Sequence, residues 1–444
     1  MSELDQLMDT IRARDPEQHE FHQAVENALR SLWPTLETRP DILNAGVLQR
    51  LVEAERIIQF RVPWVDDAGR VQVNRAYRVQ MNSAIGPYKG GMRFHPSVTQ
   101  GVLKFLAFEQ TLKNALTTLP MGGGKGGADF DPKGKSDQEV MRFCQSLMNE
   151  LYRHIGPDLD IPAGDIGVGA REVGYLYGQY KKLRNEFTGT FTGKGPAWGG
   201  SLLRPEATGY GLVYFVEEML ATRQEKLDGL RVAVSGSGNV AQYAAKMLIK
   251  SDAKVVSMSD SSGTVHMPDG MTDSQWQFMM TLKNERRGRL SELATEFNLS
   301  FMDGESPWHL PCDVALPCAT QNELNEGDAM ALLDNGCFCV AEGSNMGSTS
   351  AAVAALQAAG ILYAPSKAAN AGGVTVSGLE MSQNAMGIHW TEGEVDEKLH
   401  SIMHNIHANC VRHGRDGDRI DYVAGANIAG FLKVADAMME QGVV

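Results

Sequence analysis

Leu230-Arg-Val-Ala-Val-Ser-Gly-Ser-Gly-Asn-Val-Ala241 decides the fold. An apolar run feeds into Gly236-Ser-Gly238-Asn-Val-Ala241, which has GxGxxA spacing. The pattern predicts a strand, a tight turn and a helix over about 239–250. A second strand, Lys254-Val-Val-Ser-Met-Ser259, follows, with Asp260 at its end, 24 residues after Gly236. A lone GxGxxA carries little weight. Set between a strand and a helix, with an acidic residue after the next strand, it is the fingerprint of a dinucleotide site. Its glycines let the backbone approach a pyrophosphate, and the helix N-terminus offers unpaired N–H groups and a partial positive charge.

Downstream, strand-like runs at 313–319 and 338–343 each end in a polar turn, followed by Thr320-Gln-Asn322, Ser344-Asn345 and Asn370-Ala-Gly-Gly-Val374. In a doubly wound sheet such strand ends line the cofactor crevice, which makes Asn370 a candidate contact. Upstream, residues 188–203 are rich in Gly and Thr and lack apolar periodicity, so a boundary is expected near 200. The expected fold class is therefore α/β with two domains. Residues 201–424 form a Rossmann-like dinucleotide domain. Residues 1–200 with a returning helix, 425–444, form a mixed α/β domain.

That first domain reads as helices to about residue 55, then strands at 56–65 and 71–80 joined by Asp66-Asp-Ala-Gly69. Three lysines follow. Lys89 lies in Gly86-Pro-Tyr-Lys-Gly-Gly-Met-Arg-Phe-His95, which reads as a loop. Gln110 and Lys113 share one face of a helix over about 98–116. Lys125 is the one charge in Pro120-Met-Gly-Gly-Gly-Lys-Gly-Gly127, read as a second loop. Each lysine alone fits a solvated surface. Together, in a chain of net negative charge, they point to a site for an anionic small molecule. A lysine shielded from water beside other cations loses its proton more readily, so Lys125 is the candidate general acid/base. Asp165, in the glycine-rich Ile161-Pro-Ala-Gly-Asp-Ile-Gly-Val-Gly169, is either an Asx-turn residue or a carboxylate that handles a proton.

Formal net charge is −13, from 54 acidic and 41 basic residues, and no block of like charge occurs, which disfavours nucleic acid. No apolar run reaches the roughly 18 residues of a membrane helix, and the N-terminus lacks a signal-peptide core. Six cysteines without a zinc-type CxxC pair fit reduced thiols in the cytoplasm, and no metal site is expected.

The motifs IGPYKGGMRFHP, FEQTLKNALTTLPMGGGKGG, PAGDIGVG, RPEATGYG, GSGNVAQY, KAANAGGV and SGLEMSQN span nearly the whole chain. Through them it closely resembles the glutamate dehydrogenases, specifically the hexameric NADP-linked type of bacteria and lower eukaryotes. The resemblance implies reversible reductive amination of 2-oxoglutarate with ammonium to L-glutamate, and a homohexamer. It assigns Lys89 and Ser377 to the substrate's distal carboxylate and Gln110 and Lys113 to its α-carboxylate. Lys125 and Asp165 become the catalytic pair, and the Gly164 backbone a contact to the amino group. Thr208 falls on the nicotinamide amide and Asn239 on the fingerprint turn. Relatives acting on leucine or phenylalanine share the fold and the catalytic pair, but Lys89 with Ser377 argues against an apolar side chain. A silent dinucleotide-binding protein would have no need of Lys125 and Asp165 together.

Cofactor choice sets two signals against each other. Asp260 is, by the simple rule, a ribose 2′-hydroxyl ligand and an NAD signal. Ser261 and Ser262 follow it and can donate to a phosphate, and a basic cluster, Lys283-Asn-Glu-Arg286-Arg-Gly-Arg289, lies downstream. The resemblance favours NADP(H), with Ser261, Lys283 and Arg286 as the expected phosphate contacts.

Overall fold

The chain, described over residues 3–444 by a computed structural model, divides by its contacts into two units. The first runs to Leu202 and takes back Val376–Val395 and Asn427–Val444; the second is Leu203–Thr375 with Asp396–Ala426. Sequence pattern put 376–395 in the second domain. That segment lies mostly within one continuous helix, Gly372–Met386, and no Pro or turn inside it marks the residue where the chain changes partners.

In the first unit a five-stranded sheet has the order β1-β2-β4-β3-β5. Its strands are β1 (Arg56–Val65), β2 (Val71–Asn82), β3 (Tyr88–Phe94), β4 (Gly123–Ala128) and β5 (Asp160–Ala163). Strands β3, β4 and β5 are parallel neighbours, and β2 runs antiparallel to both β1 and β4. The helix Gln100–Leu116 carries the chain from β3 to β4. Its first turn is closed by the Thr99 hydroxyl, which accepts from the Val102 N–H. A second helix, Asp137–Leu151, starts in a capping box between Ser136 and Glu139 and packs an aromatic core on the sheet. In that core Phe130 and Phe143 stack at 3.8 Å, with Trp64 and Phe94 edge-on to both.

The two lysine-bearing stretches read as loops are strands β3 and β4. Glycine there serves packing. A Cβ on Gly123 would stand 1.8 Å from Thr111 Oγ1 and 2.7 Å from Thr111 Cα, and one on Gly127 would stand 2.4 Å from the Arg93 carbonyl oxygen. From the opposite side the Arg78 side chain lies along the strand, its Cδ 3.0 Å from the Cβ position of Gly126 and its Nη2 3.5 Å from that of Gly124. Arg78 donates to the Gly90 carbonyl at 3.0 Å and ends on Asp160 at 2.9 and 2.5 Å. Both partners of this ion pair are fully buried. Leaving either charge unpaired at such depth costs about 3–5 kcal/mol.

The second unit holds a seven-stranded sheet, order β12-β11-β10-β6-β7-β8-β9. The strands are β6 (Arg231–Val234), β7 (Lys254–Asp260), β8 (Gly263–His266), β9 (Ser300–Asp303), β10 (Val314–Leu316), β11 (Cys339–Ala341) and β12 (Leu362–Ala364). From β12 to β7 the neighbours are parallel, and β8 and β9 add an antiparallel edge. The order reverses at β6 and β10, the switch point where α/β sheets take their ligands. β6, the fingerprint turn, the helix Asn239–Lys250 and β7 follow one another as the spacing predicts.

Candidate active site

β3, β4 and the turn after β5 bring the predicted catalytic pair together. Lys125, on β4, donates from Nζ to Asp165 Oδ1 at 2.9 Å, and Arg93, on β3, donates to Asp165 Oδ2 at 2.6 Å. Lys125 is 5 % exposed. Burial pulls its ammonium below the ordinary lysine pKa; Asp165 opposes that, and the nearby charges of Arg93 and Arg78 add to it. Burial alone would raise the Asp165 carboxyl, but the charges and hydrogen bonds of Lys125 and Arg93 outweigh it and hold it at about 2. The pair is thus a fixed carboxylate against a lysine biased towards giving up its proton. Arg93 was not singled out from sequence. It shares β3 with Lys89 and neighbours the strand of Lys125, and nothing in GGMRF distinguishes it from a surface arginine.

Of the residues expected to meet substrate, Gln110 and Lys89 are linked through Asn114 on the helix Gln100–Leu116. Asn114 donates to the Lys89 carbonyl at 3.0 Å and to the Gly122 carbonyl at 2.5 Å, clamping β3 and the start of β4 to the helix. Gln110, one turn back, donates to Asn114 Oδ1 at 2.6 Å. Lys113 lies half-buried in the last turn of that helix. Lys89 is buried, and its Nζ donates to Thr192 Oγ1 at 2.8 Å. Gly164 closes β5, where a Cβ on Gly91 would come within 2.6 Å of the Gly164 carbonyl oxygen. Ser377 is buried in the helix Gly372–Met386, whose next residue, Gly378, packs on Leu119 and Met121.

In the second unit the fingerprint turn has room for a ligand. Gly236 has φ +83°, a left-handed conformation that glycine adopts without strain. A Cβ on Gly238 would meet nothing within 4 Å, so the start of the helix Asn239–Lys250 stands open. Asn239 turns its amide to the Pro205 carbonyl. Thr208 Oγ1 lies 2.5 Å from the Cβ position of Gly373, and Asn370 Nδ2 donates to the Gly343 carbonyl and to Asn345 Oδ1 at 3.1 and 2.9 Å.

Asp260 is spoken for. Its Oδ1 accepts from the Ser262 N–H and hydroxyl, and its Oδ2 from the Leu290 N–H at 2.9 Å and Lys283 Nζ at 3.1 Å. Desolvation would raise this carboxyl, but the Ser262, Leu290 and Lys283 bonds hold it at about 2. The carboxylate that would repel a 2′-phosphate is already neutralised by Lys283. Beside it Arg289 donates to Ser261 Oγ at 2.5 Å. Arg286, the arginine expected there, instead pairs with Glu292 at 2.7 Å and lies over Phe278. Sequence separation alone could not tell which arginine of the cluster turns back to Ser261. Open space at Gly238, a free helix N-terminus and a serine–guanidinium pair beside a neutralised aspartate suit a phosphorylated dinucleotide.

The profile of glutamate/leucine/phenylalanine/valine dehydrogenase matches residues 199–442, and that of the Glu/Leu/Phe/Val dehydrogenase dimerisation domain matches 54–182. The chain is 59 % identical to the NADP-specific glutamate dehydrogenase of Escherichia coli strain K12 over 99 % of both chains. It is 58 % identical to that of Haemophilus influenzae, over 100 % of this chain and 99 % of the other. The crystal structure of Plasmodium falciparum glutamate dehydrogenase superposes with TM-score 0.97 at 52 % identity, covering 99 % of this chain and 95 % of that one. Two domain profiles and full-length identity on this scale assign the chain to the glutamate/leucine/phenylalanine/valine dehydrogenase family.

Proposed function

We propose that the chain catalyses the reversible NADP-linked reductive amination of 2-oxoglutarate with ammonia to L-glutamate. Full-length identity to NADP-specific glutamate dehydrogenases supports the activity and the cofactor. The observation that carries the chemistry is the pairing of the buried Lys125 with the partly buried Asp165, flanked on β3 by the buried Lys89. A five-carbon dicarboxylate needs cationic anchors at both ends, with a further group left for chemistry. Lys89 with Ser377 binds the distal carboxylate, and Gln110 with Lys113 the α-carboxylate. The Gly164 backbone receives the amino group.

Asp165, ionised and held by two cations, takes the proton shed by ammonia as it attacks the 2-oxo carbon and passes it through Lys125 to the oxygen, with the transfers reversed in the opposite direction. Lys125 first polarises the carbonyl oxygen. It then protonates the hydroxyl that leaves as water, which its lowered pKa favours. Bound NADPH supplies the hydride that reduces the resulting iminium carbon. Thr208, Asn239 and Asn370, with Gly236 and Gly238, would hold the cofactor. Ser261, Lys283 and Arg289 would read its 2′-phosphate, while Arg286 is engaged by Glu292.

The activity is tested by following NADPH oxidation with ammonium and either 2-oxoglutarate or 4-methyl-2-oxopentanoate. Turnover with 2-oxoglutarate is expected to dominate. Faster turnover of the apolar acid would move the assignment to the leucine branch of the family, and none with either would leave a dinucleotide-binding protein. Self-association into a homohexamer is part of the same proposal, and light scattering of the purified protein tests it. The proposed location is the cytoplasm: all six cysteines are free and buried, and no helix among the described residues is long and apolar enough to cross a membrane.

A further inference from the structure

Behind Lys89, in the first unit, lies a second buried ion pair that the chemistry above does not use. Lys194 Nζ and Glu380 Oε1 are 2.7 Å apart, with side chains 1 % and 0 % exposed. Glu380 also accepts from the Gly193 N–H at 3.0 Å and the Lys194 N–H at 3.4 Å, while Lys194 donates to the Phe191 carbonyl. One carboxylate thus gathers the backbone and the ammonium of the segment 191–194. Burial pulls the Lys194 ammonium below its ordinary pKa, a sign that the pair is well removed from water.

What the pair holds is informative. Two residues before Lys194 stands Thr192, fully buried, whose hydroxyl accepts from Lys89 Nζ and whose N–H donates to the Pro162 carbonyl of β5 at 3.1 Å. Three residues before Glu380, on the same face of its helix, stands Ser377. Further along that helix Gln383 donates to Ser201 Oγ at 2.9 Å and Asn384 to the Gly199 carbonyl at 2.7 Å, so the helix also holds the chain that follows the segment. A buried ion pair adds little stability over a well-packed apolar pair, because desolvation offsets most of the attraction. Stability alone therefore does not account for placing one here, whereas fixed geometry does.

We propose that Lys194 and Glu380 are positioning residues that lock the 191–194 segment to the Ser377 helix, and so set the spacing between Lys89, Thr192 and Ser377 that selects a distal carboxylate. The inference rests on the reading of Lys89 and Ser377 given above. It predicts a selective defect. In Glu380→Gln, and in the paired Lys194→Met/Glu380→Leu that removes both charges, KM for 2-oxoglutarate should rise about tenfold or more. The kcat and the KM for ammonium should stay within about threefold, and kcat/KM for 4-methyl-2-oxopentanoate should be little changed. Thermal melts and NADPH binding show that each variant is folded, and the paired variant is the one that tolerates loss of the charge.

Equal losses for both oxo acids, or an unchanged 2-oxoglutarate KM in a folded paired variant, would overturn the proposal. Lys89→Leu, run in parallel, separates the two levels. If it loses 2-oxoglutarate selectively while the clamp variants do not, only the clamp fails. If it too is unselective, the assignment of Lys89 is what fails.

Discussion

The chain has two glycine-rich stretches at the heart of its two sheets, and they use glycine for opposite reasons. Along β4, at 123–127, the space where side chains would stand is already filled by Thr111, Met92, the Arg93 backbone and the long side chain of Arg78. At the fingerprint turn, Gly238 faces empty space and Gly236 takes a left-handed φ. The first set of glycines lets protein pack against protein and, in doing so, buries Lys125. The second set leaves room for a ligand. Glycine-rich sequence is therefore no guide to flexibility by itself; what would have met the missing Cβ decides its meaning.

The largest expected effect probes the residue that the packed stretch carries. Lys125→Ala should lower kcat by about 10²–10⁴-fold with folding and cofactor binding near normal. Turnover within about threefold of the parent would remove Lys125 from the chemistry.

The comparison itself is broken or kept by two small substitutions. Gly123→Ala forces a methyl onto Thr111 and should cost about 1–3 kcal/mol or more in urea melts, with little direct effect on NADPH affinity. Gly238→Ala, at φ −82° and ψ −173° in open space, should leave stability within about 0.5 kcal/mol while weakening NADPH binding. The reverse pattern would mean that 123–127 is open and the turn at Gly238 is packed.

A smaller effect follows from the charge buried beside β4. Asp165 has its folded pKa depressed to about 2, below the ordinary carboxylate value. Its contribution is therefore full above the unfolded pKa and is lost as pH falls through the folded one. By linkage this is about 2 kcal/mol. The stability gap between parent and Asp165→Asn should be widest near neutrality and narrow from about pH 4 towards pH 2. A gap that does not change with pH would show that Asp165 is not held by its cations.

The smallest effect concerns the open stretch. Arg289→Ala should lower kcat/KM for NADPH about tenfold with NADH within about twofold, and Arg286→Ala should do less. If Arg286→Ala proved the more damaging, the guanidinium would have to leave Glu292 when cofactor binds.

These contrasts also explain what sequence could and could not show. The fingerprint was legible because a strand, a turn and a helix within one short segment are local, and local spacing encodes them. β3 and β4 were read as loops because a strand is recognised by alternating side chains, and Gly-Gly-Gly-Lys-Gly-Gly has almost none. Lys125 and Asp165 could be picked out singly by residue type. Their contact, and the roles of Arg93, Lys194 and Glu380 around them, depend on partners far apart in sequence. The same holds for Arg289 over Arg286. The residue at which the chain passes between units within the helix Gly372–Met386 is not legible, because a helix that does so looks the same in sequence as one that stays.

The Arg78 side chain, which lies along β4 and ends on Asp160, has a consequence for how this sequence can drift. Gly126 on β4, Gly90 on β3, a buried arginine and a buried aspartate form a single unit of inheritance. A larger residue at Gly126 must displace Met92 Sδ, 2.3 Å from its Cβ position, as well as Arg78 Cδ at 3.0 Å, and shortening Arg78 strands Asp160. Each single step is expected to be selected against even where the combined change would be acceptable. The strand that carries Lys125 is thus held by residues that constrain one another, through the absence of any easy path away from them.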